Sequence, residues 1–315
     1  MTGERCLHRL ETGNWVDAEA DIKFRGNPKR LVHHLHGARS AMVRIYTDTN
    51  VLRYFGEAFA TRTVPPEIAI QLFLAPLVML ELLSQLGTEG AESAFAAVQA
   101  LPRVHNPTAC GLLPWTDDFF RMCLFKIEPG QDIITQSINN AVNRVLSAGN
   151  ATELKAEGEE MRTLLDKGKN EAADNFTALR ASVNAEGRID PAEDRRIFAQ
   201  SIARRAGVGP ESVDVDFVLT HLDAHYRFEQ QRINAALDNP EYNVTKRAND
   251  VYDSELLIYL ADPSLHLLTS DTGFRRSNDS SQANRIHIVP ADALCDPEAA
   301  IATLQAIVES AKPAA

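Results

Sequence analysis

The chain has 315 residues, 44% apolar and 24% charged, with a net charge of −11. That composition supports an ordinary globular protein with a buried core, in one large domain or two modest ones. The acidic balance excludes broad, non-specific coating of nucleic acid, which needs a basic excess, but leaves room for a local basic rim. Cys6, Cys110, Cys123 and Cys295 form no C-x-x-C pair and no zinc spacing, as expected of idle thiols in a reducing cytosol. The charged N-terminus, from Glu4 and Arg5 onward, is no secretory signal. The longest apolar stretch, Leu72 to Leu83, contains Pro76 and Glu81 and is too short and polar to span a membrane. A cytoplasmic location without membrane contact is expected.

Residues 1–41 mix charges, Trp15 and His33, His34 and His36 without a period, and read as a poorly ordered arm. Met42 is an alternative start, with the upstream segment an extension. Val43, Ile45 and Tyr46 then predict a short buried strand. A polar step, Thr47-Asp48-Thr49-Asn50, and an apolar run from Val51 predict a turn and a helix capped by Thr49 or Asn50. Pro65-Pro66 breaks the chain. Leu72-Phe73-Leu74 suits a short strand or a helix. Pro76 then opens a helix carrying Leu77, Leu80, Leu83 and Leu86, with Gly87 at its end.

Residues 88–240 read as a helical insertion with no strand. Its segments cover 91–101, 116–126, 131–147, 151–183, 192–206 and 213–237. The fourth is highly charged, with a narrow stripe of Leu154, Met161, Leu164, Leu165, Phe176, Leu179 and Val183. It reads either as a partner-binding arm or as a solvated helix covering the core. The tail, with residues 42–87, forms the other unit. A helix over 244–261 precedes a strand at Leu265–Thr269, a turn at Ser270-Asp271-Thr272-Gly273, a strand from Ile286 to Val289 and a closing helix from Pro297. The fold class is therefore α/β, a parallel sheet interrupted by a large helical insertion.

The acids carry the functional argument. Asp48 and Asp271 each follow an apolar strand, and at the carboxyl ends of parallel strands ligands gather. Glu81 lies within an apolar helix, where an uncompensated carboxylate costs several kcal/mol. Asp250 and Asp253, three apart, share a helix face. Each acid alone also reads as a turn, cap or surface residue. Together, without cations, they would repel. A divalent ion neutralises such a cluster, and all-oxygen ligands suit Mg²⁺ or Mn²⁺. Two ions about 4 Å apart can drive phosphodiester hydrolysis. Basic residues near these stretches are Arg44, Arg53, Lys246, Arg247, Arg275 and Arg276; Arg275 and Arg276, just after the Asp271 turn, read either as phosphate contacts or as ordinary surface charges. Tyr46, Tyr54 and Phe274 suit core packing more than base stacking.

The stretches IYTDTNVL, LAPLVMLELLSQL, NDVYDSELLIYLA and LLTSDTGF, in that order, resemble the PIN-domain nucleases. The likeness covers residues 43–87 and 244–290 and omits the insertion. It implies a three-layer α/β/α fold and metal-dependent RNA cleavage. On this chain it implies Asp48, Glu81, Asp253 and Asp271 as catalytic metal-holding acids, Asp250 as an accessory one, and Asn50 and Thr269 as supporting residues. It also implies an RNA substrate, with a toxin of a toxin–antitoxin pair, and hence an inhibitor protein, as one form, or a homo-oligomer. A non-catalytic PIN-like scaffold whose insertion binds a protein partner is the alternative. A haloacid-dehalogenase phosphatase fits less well, because Asn50 stands where that chemistry wants a second Asp.

Overall fold

The computed structural model describes residues 43–105, 112–130, 133–239, 241–242 and 249–311. The expected arm 1–41 with its histidines, Met42, Cys6, Cys110 and the expected helix start at 244 lie outside the described residues. The first sheet unit runs β1 (Arg44–Thr47), α1 (Thr49–Ala58), α2 (Pro66–Ala69), β2 (Leu72–Phe73) and α3 (Pro76–Ser84). The helical middle follows as α4 (Ala91–Val104), α5 (Thr116–Cys123), α6 (Ile133–Ser147), α7 (Lys155–Glu186), α8 (Pro191–Arg205), α9 (Val215–His221) and α10 (Asp223–Asp238). The tail comprises α11 (Asn249–Leu256), β3 (Leu265–Thr269), β4 (Ile286–Ile288), α12 (Asp292–Cys295) and α13 (Pro297–Ser310). Between α11 and β3 the chain tightens into a 3₁₀ turn over Leu257–Ala261.

The four strands form one parallel sheet in the order β2-β1-β3-β4. From β1 the chain steps outward to β2, whereas from β3 it steps the other way to β4. The switch point lies between β1 and β3, where ligands collect in open parallel sheets. Thr47 stands opposite Leu268 in that central pair. All five residues of β3 are buried, as are Ile45, Tyr46 and Thr47 of β1, which accounts for their near-continuous apolar sequence. The expectation of no strand in the middle needs one amendment. Leu112 bridges Leu74 in parallel, and Leu113 N–H donates to the Leu74 carbonyl at 2.8 Å.

Sheet and insertion share one buried cluster. Ile45, Leu268 and Tyr259 belong to it together with Val98, Phe119, Ile138, Leu165 and Phe228. Tyr259 joins the two, stacking edge-on against Tyr46 and Phe119 with centroids 5.5 and 4.9 Å away. Its hydroxyl donates to the Pro114 carbonyl at 2.9 Å. Small residues allow the closest approaches. A Cβ at Gly56 of α1 would stand 2.7 Å from the Ala97 Cα of α4. On α7 a Cβ at Gly158 would stand 1.9 Å from the Leu86 carbonyl oxygen, and one at Gly168 would stand 2.6 Å from the Tyr252 hydroxyl. The charged segment is therefore a helix laid on the core through Met161, Leu165 and Phe176.

The expected helix 213–237 is two helices, broken at Leu222. Gln282, 3% exposed, enters the break: its Nε2 donates to the His221 and Leu260 carbonyls, and its Oε1 accepts from Ala224 N–H at 2.9 Å. A side chain inserted into the backbone ladder is a recognised cause of such a kink.

Candidate functional site

The carboxyl edge of the sheet opens into a cavity of about 530 Å³, a size usual for ligand clefts. Asp48, Glu81, Asp253 and Asp271 all line it, so four separate stretches of sequence meet there.

Asp48 follows β1 directly and its backbone N–H extends the ladder to the Leu268 carbonyl at 3.2 Å. Asp48 itself, rather than Thr49 or Asn50, is the N-cap of α1. Its backbone is extended and its Oδ1 accepts from Val51 N–H at 2.8 Å. Oδ2 accepts from the Thr269 hydroxyl at 2.5 Å. Burial pushes this carboxyl above its ordinary range, against the pull of Thr269, Val51 and Ser270, and the nearby Asp271 pushes it further. Thr269, fully buried, also accepts from Asp271 N–H at 2.9 Å, so one hydroxyl ties the two strand ends together. Asp271 in turn caps its own turn, accepting from Gly273 N–H at 2.6 Å.

Glu81 lies half-buried within α3 and accepts from the Thr49 hydroxyl. That bond answers the energetic question posed by a carboxylate in an apolar helix. Asp253 on α11 is also half-buried and accepts no hydrogen bond among the described residues. Burial pushes its carboxyl up to about 8, and Asp271, Glu81, Asp250 and Asp48 add to the shift in that order. Their negative fields therefore overlap at Asp253.

Not every expected residue joins them. Asp250 is absent from the cavity wall. It pairs with Arg276 at 2.9 Å, so that guanidinium is committed to a carboxylate rather than free for phosphate. Arg276 also lies over the Phe228 ring, 5.2 Å from its centroid. Arg275 is exposed but does not line the cavity. Asn50 does line the cavity, exposed at its rim, and accepts from Arg53 at 3.4 Å. Tyr46 and Phe274 are buried in the core.

The insertion supplies what the sequence reading missed. Arg162, Leu165, Asp166 and Lys169 of α7 form one wall of the cavity. The i, i+3, i+7 spacing of 162, 165 and 169 was legible as one helix face, but nothing in it indicated which surface that face would meet.

The donor set is oxygen throughout, which suits a hard divalent cation, and Asp253 has no cationic partner among the described residues. In that sense the residues fit Mg²⁺ or Mn²⁺. Among the described residues, however, no three His, Cys, Asp or Glu side chains are gathered closely enough to hold a metal ion. Asp48, Glu81 and Asp271 are each turned toward a donor of their own neighbourhood. Ligation would require some of them to turn into the cavity.

Among the described residues no helix is long and apolar enough to cross a membrane. Comparisons with family models, with curated proteins and with solved structures find no match to this chain.

Proposed function

We propose that this protein is a metal-dependent endoribonuclease of PIN-like architecture, hydrolysing RNA phosphodiesters at the carboxyl edge of its sheet. One observation carries the reading: Asp48, Glu81, Asp253 and Asp271 converge on one cavity at the switch point, where burial first and then the fields of the neighbouring acids push the Asp253 carboxyl up to about 8.

In this reading Asp48, Glu81, Asp253 and Asp271 would hold Mg²⁺ or Mn²⁺. The bound cation supplies Lewis acidity and a water of lowered pKa. The chain's own residues provide position. Thr269 and Val51 fix the two oxygens of Asp48, and Thr49 orients Glu81. Asp253, raised to about 8, holds its proton near neutral pH and would have to release it to serve as a ligand. Asn50, exposed on the rim and with its side chain bonded only to Arg53 among the described residues, would orient the incoming strand.

The test is Mn²⁺-dependent cleavage of a mixed RNA pool by the protein and by Asp48→Asn. Cleavage is expected to vanish in the variant, with its thermal transition retained; equal cleavage by both would sink the assignment. The alternative, a non-catalytic scaffold of the same architecture, draws on the local donors that satisfy three of the four acids. Mn²⁺ separates the two readings, because a ligand that binds only the folded state raises its stability. The nuclease reading expects Mn²⁺ to raise the thermal midpoint, and expects Asp253→Asn to abolish that rise.

A further inference from the structure

The acidic cavity has a second, cationic side. Arg53 of α1 and Arg162 and Lys169 of α7 line it together with the acids. In a chain of net charge −11, cations in such a place should find carboxylates, yet these three form no ion pair with any described residue. Each is held by neutral groups instead. Arg162 donates through Nε and Nη2 to the Ser84 carbonyl at 3.1 and 3.0 Å, and through Nη2 to the Leu86 carbonyl at 3.2 Å. Arg53 donates to Gln85 and to Asn50, while its buried Nε has no hydrogen-bond partner among the described residues. Lys169 Nζ lies 5.8 Å from the Tyr252 ring centroid. Among the described residues, then, these side chains are positioned without an acid to neutralise their charge.

The glycines of α7 bring this wall to the acids. With side chains at positions 158 and 168, the helix could not lie against Leu86 and Tyr252 as it does. Residues 162 and 169 are separated by two helical turns, about 10 Å along the axis, so the cations are spread along the cavity rather than gathered at one point. A row of this kind suits successive phosphates of a strand better than one small anion.

We propose that Arg53, Arg162 and Lys169 bind the phosphates of a single RNA strand beside the acidic edge, with α7 of the insertion supplying half of the binding site. This deepens the nuclease reading and rests on it for the identity of the strand. Removing one phosphate contact from a single-strand complex lowers the slope of log affinity against log salt by about 0.7.

The experiment measures binding of a fluorescent, mixed-sequence single-stranded RNA 12-mer across a salt series in EDTA, where no cleavage occurs. Lys169→Gln should weaken binding and flatten the slope, and Lys169→Arg should restore both. Lys167→Gln removes the same charge from the same helix away from the cavity wall and should leave the slope unchanged. Equal effects of the 167 and 169 variants, or no effect of Lys169→Gln, would overturn the proposal even if Asp48→Asn abolishes cleavage. A Lys169-dependent slope without Mn²⁺-dependent cleavage would uphold the strand site and sink the nuclease reading alone.

Discussion

Glu255 and Asp253 stand two residues apart on α11 and meet opposite surroundings. Glu255 faces Arg205 of α8, which donates to both its carboxylate oxygens at 2.7 and 2.8 Å. The same guanidinium reaches Asp117 and Thr116 and lies over the Phe120 ring. Burial pushes the Glu255 carboxyl up, but Arg205 outweighs it and holds the group below its usual range. Asp253 is pushed up to about 8 by burial first, and then by the carboxylates around it. One helix thus carries an acid neutralised for structure and an acid left unneutralised beside a cavity. A buried charge that serves the fold is paired; strongly shifted, unpaired ones gather at working sites.

The contrast can be broken first at Arg205. Arg205→Ala leaves Glu255 and Asp117 without their cation, and removing one member of a buried pair costs about 3–5 kcal/mol. Denaturant unfolding should show that loss; a loss below about 1 kcal/mol would mean the network is not structural. Gly158→Ala comes next. It drives a Cβ into the Leu86 carbonyl, and the strain of an overfilled contact is about 1–3 kcal/mol. RNA binding should weaken with it, because the α7 wall must lift.

Asp253→Asn should do the reverse and stabilise. An acid whose carboxyl is raised in the folded state holds its proton more tightly there than when unfolded. Its contribution is complete below about pH 4, the unfolded value, and is lost as pH rises through about 8. In EDTA at pH 9 the variant should therefore exceed the parent by about 2 kcal/mol, allowing for partial exposure. The gap should narrow toward pH 5; a pH-independent difference would show that Asp253 is not strained by its neighbours. Smallest is the exposed Arg62–Glu298 pair, with side chains 53% and 72% exposed. Glu298→Gln should change stability by less than about 0.5 kcal/mol.

The acids were legible because each breaks a local pattern. Asp48 and Asp271 follow the ends of apolar strands, Glu81 interrupts an apolar helix, and Asp253 sits at helical spacing from Asp250. The parallel sheet was legible for the same reason, since its buried strands read as apolar runs. The cap reading of Asp48 and its place at the site also proved compatible, as its two oxygens serve the helix and Thr269 separately. The cationic wall was not legible. Arg162 and Lys169 sit in a segment rich in charge, and Gly158 and Gly168 resemble ordinary interruptions until the surfaces opposite them are known. The commitment of Arg276 to Asp250 is likewise a matter of long-range geometry. So is the break at Leu222, whose cause lies 60 residues downstream at Gln282.

That glutamine has a consequence for how the polypeptide matures. The carbonyl of His221 and the amide of Ala224 receive their partner from a side chain that leaves the ribosome only after β3 has been made. Until then those two groups lack that partner, so the geometry of the helix pair depends on a segment made after it.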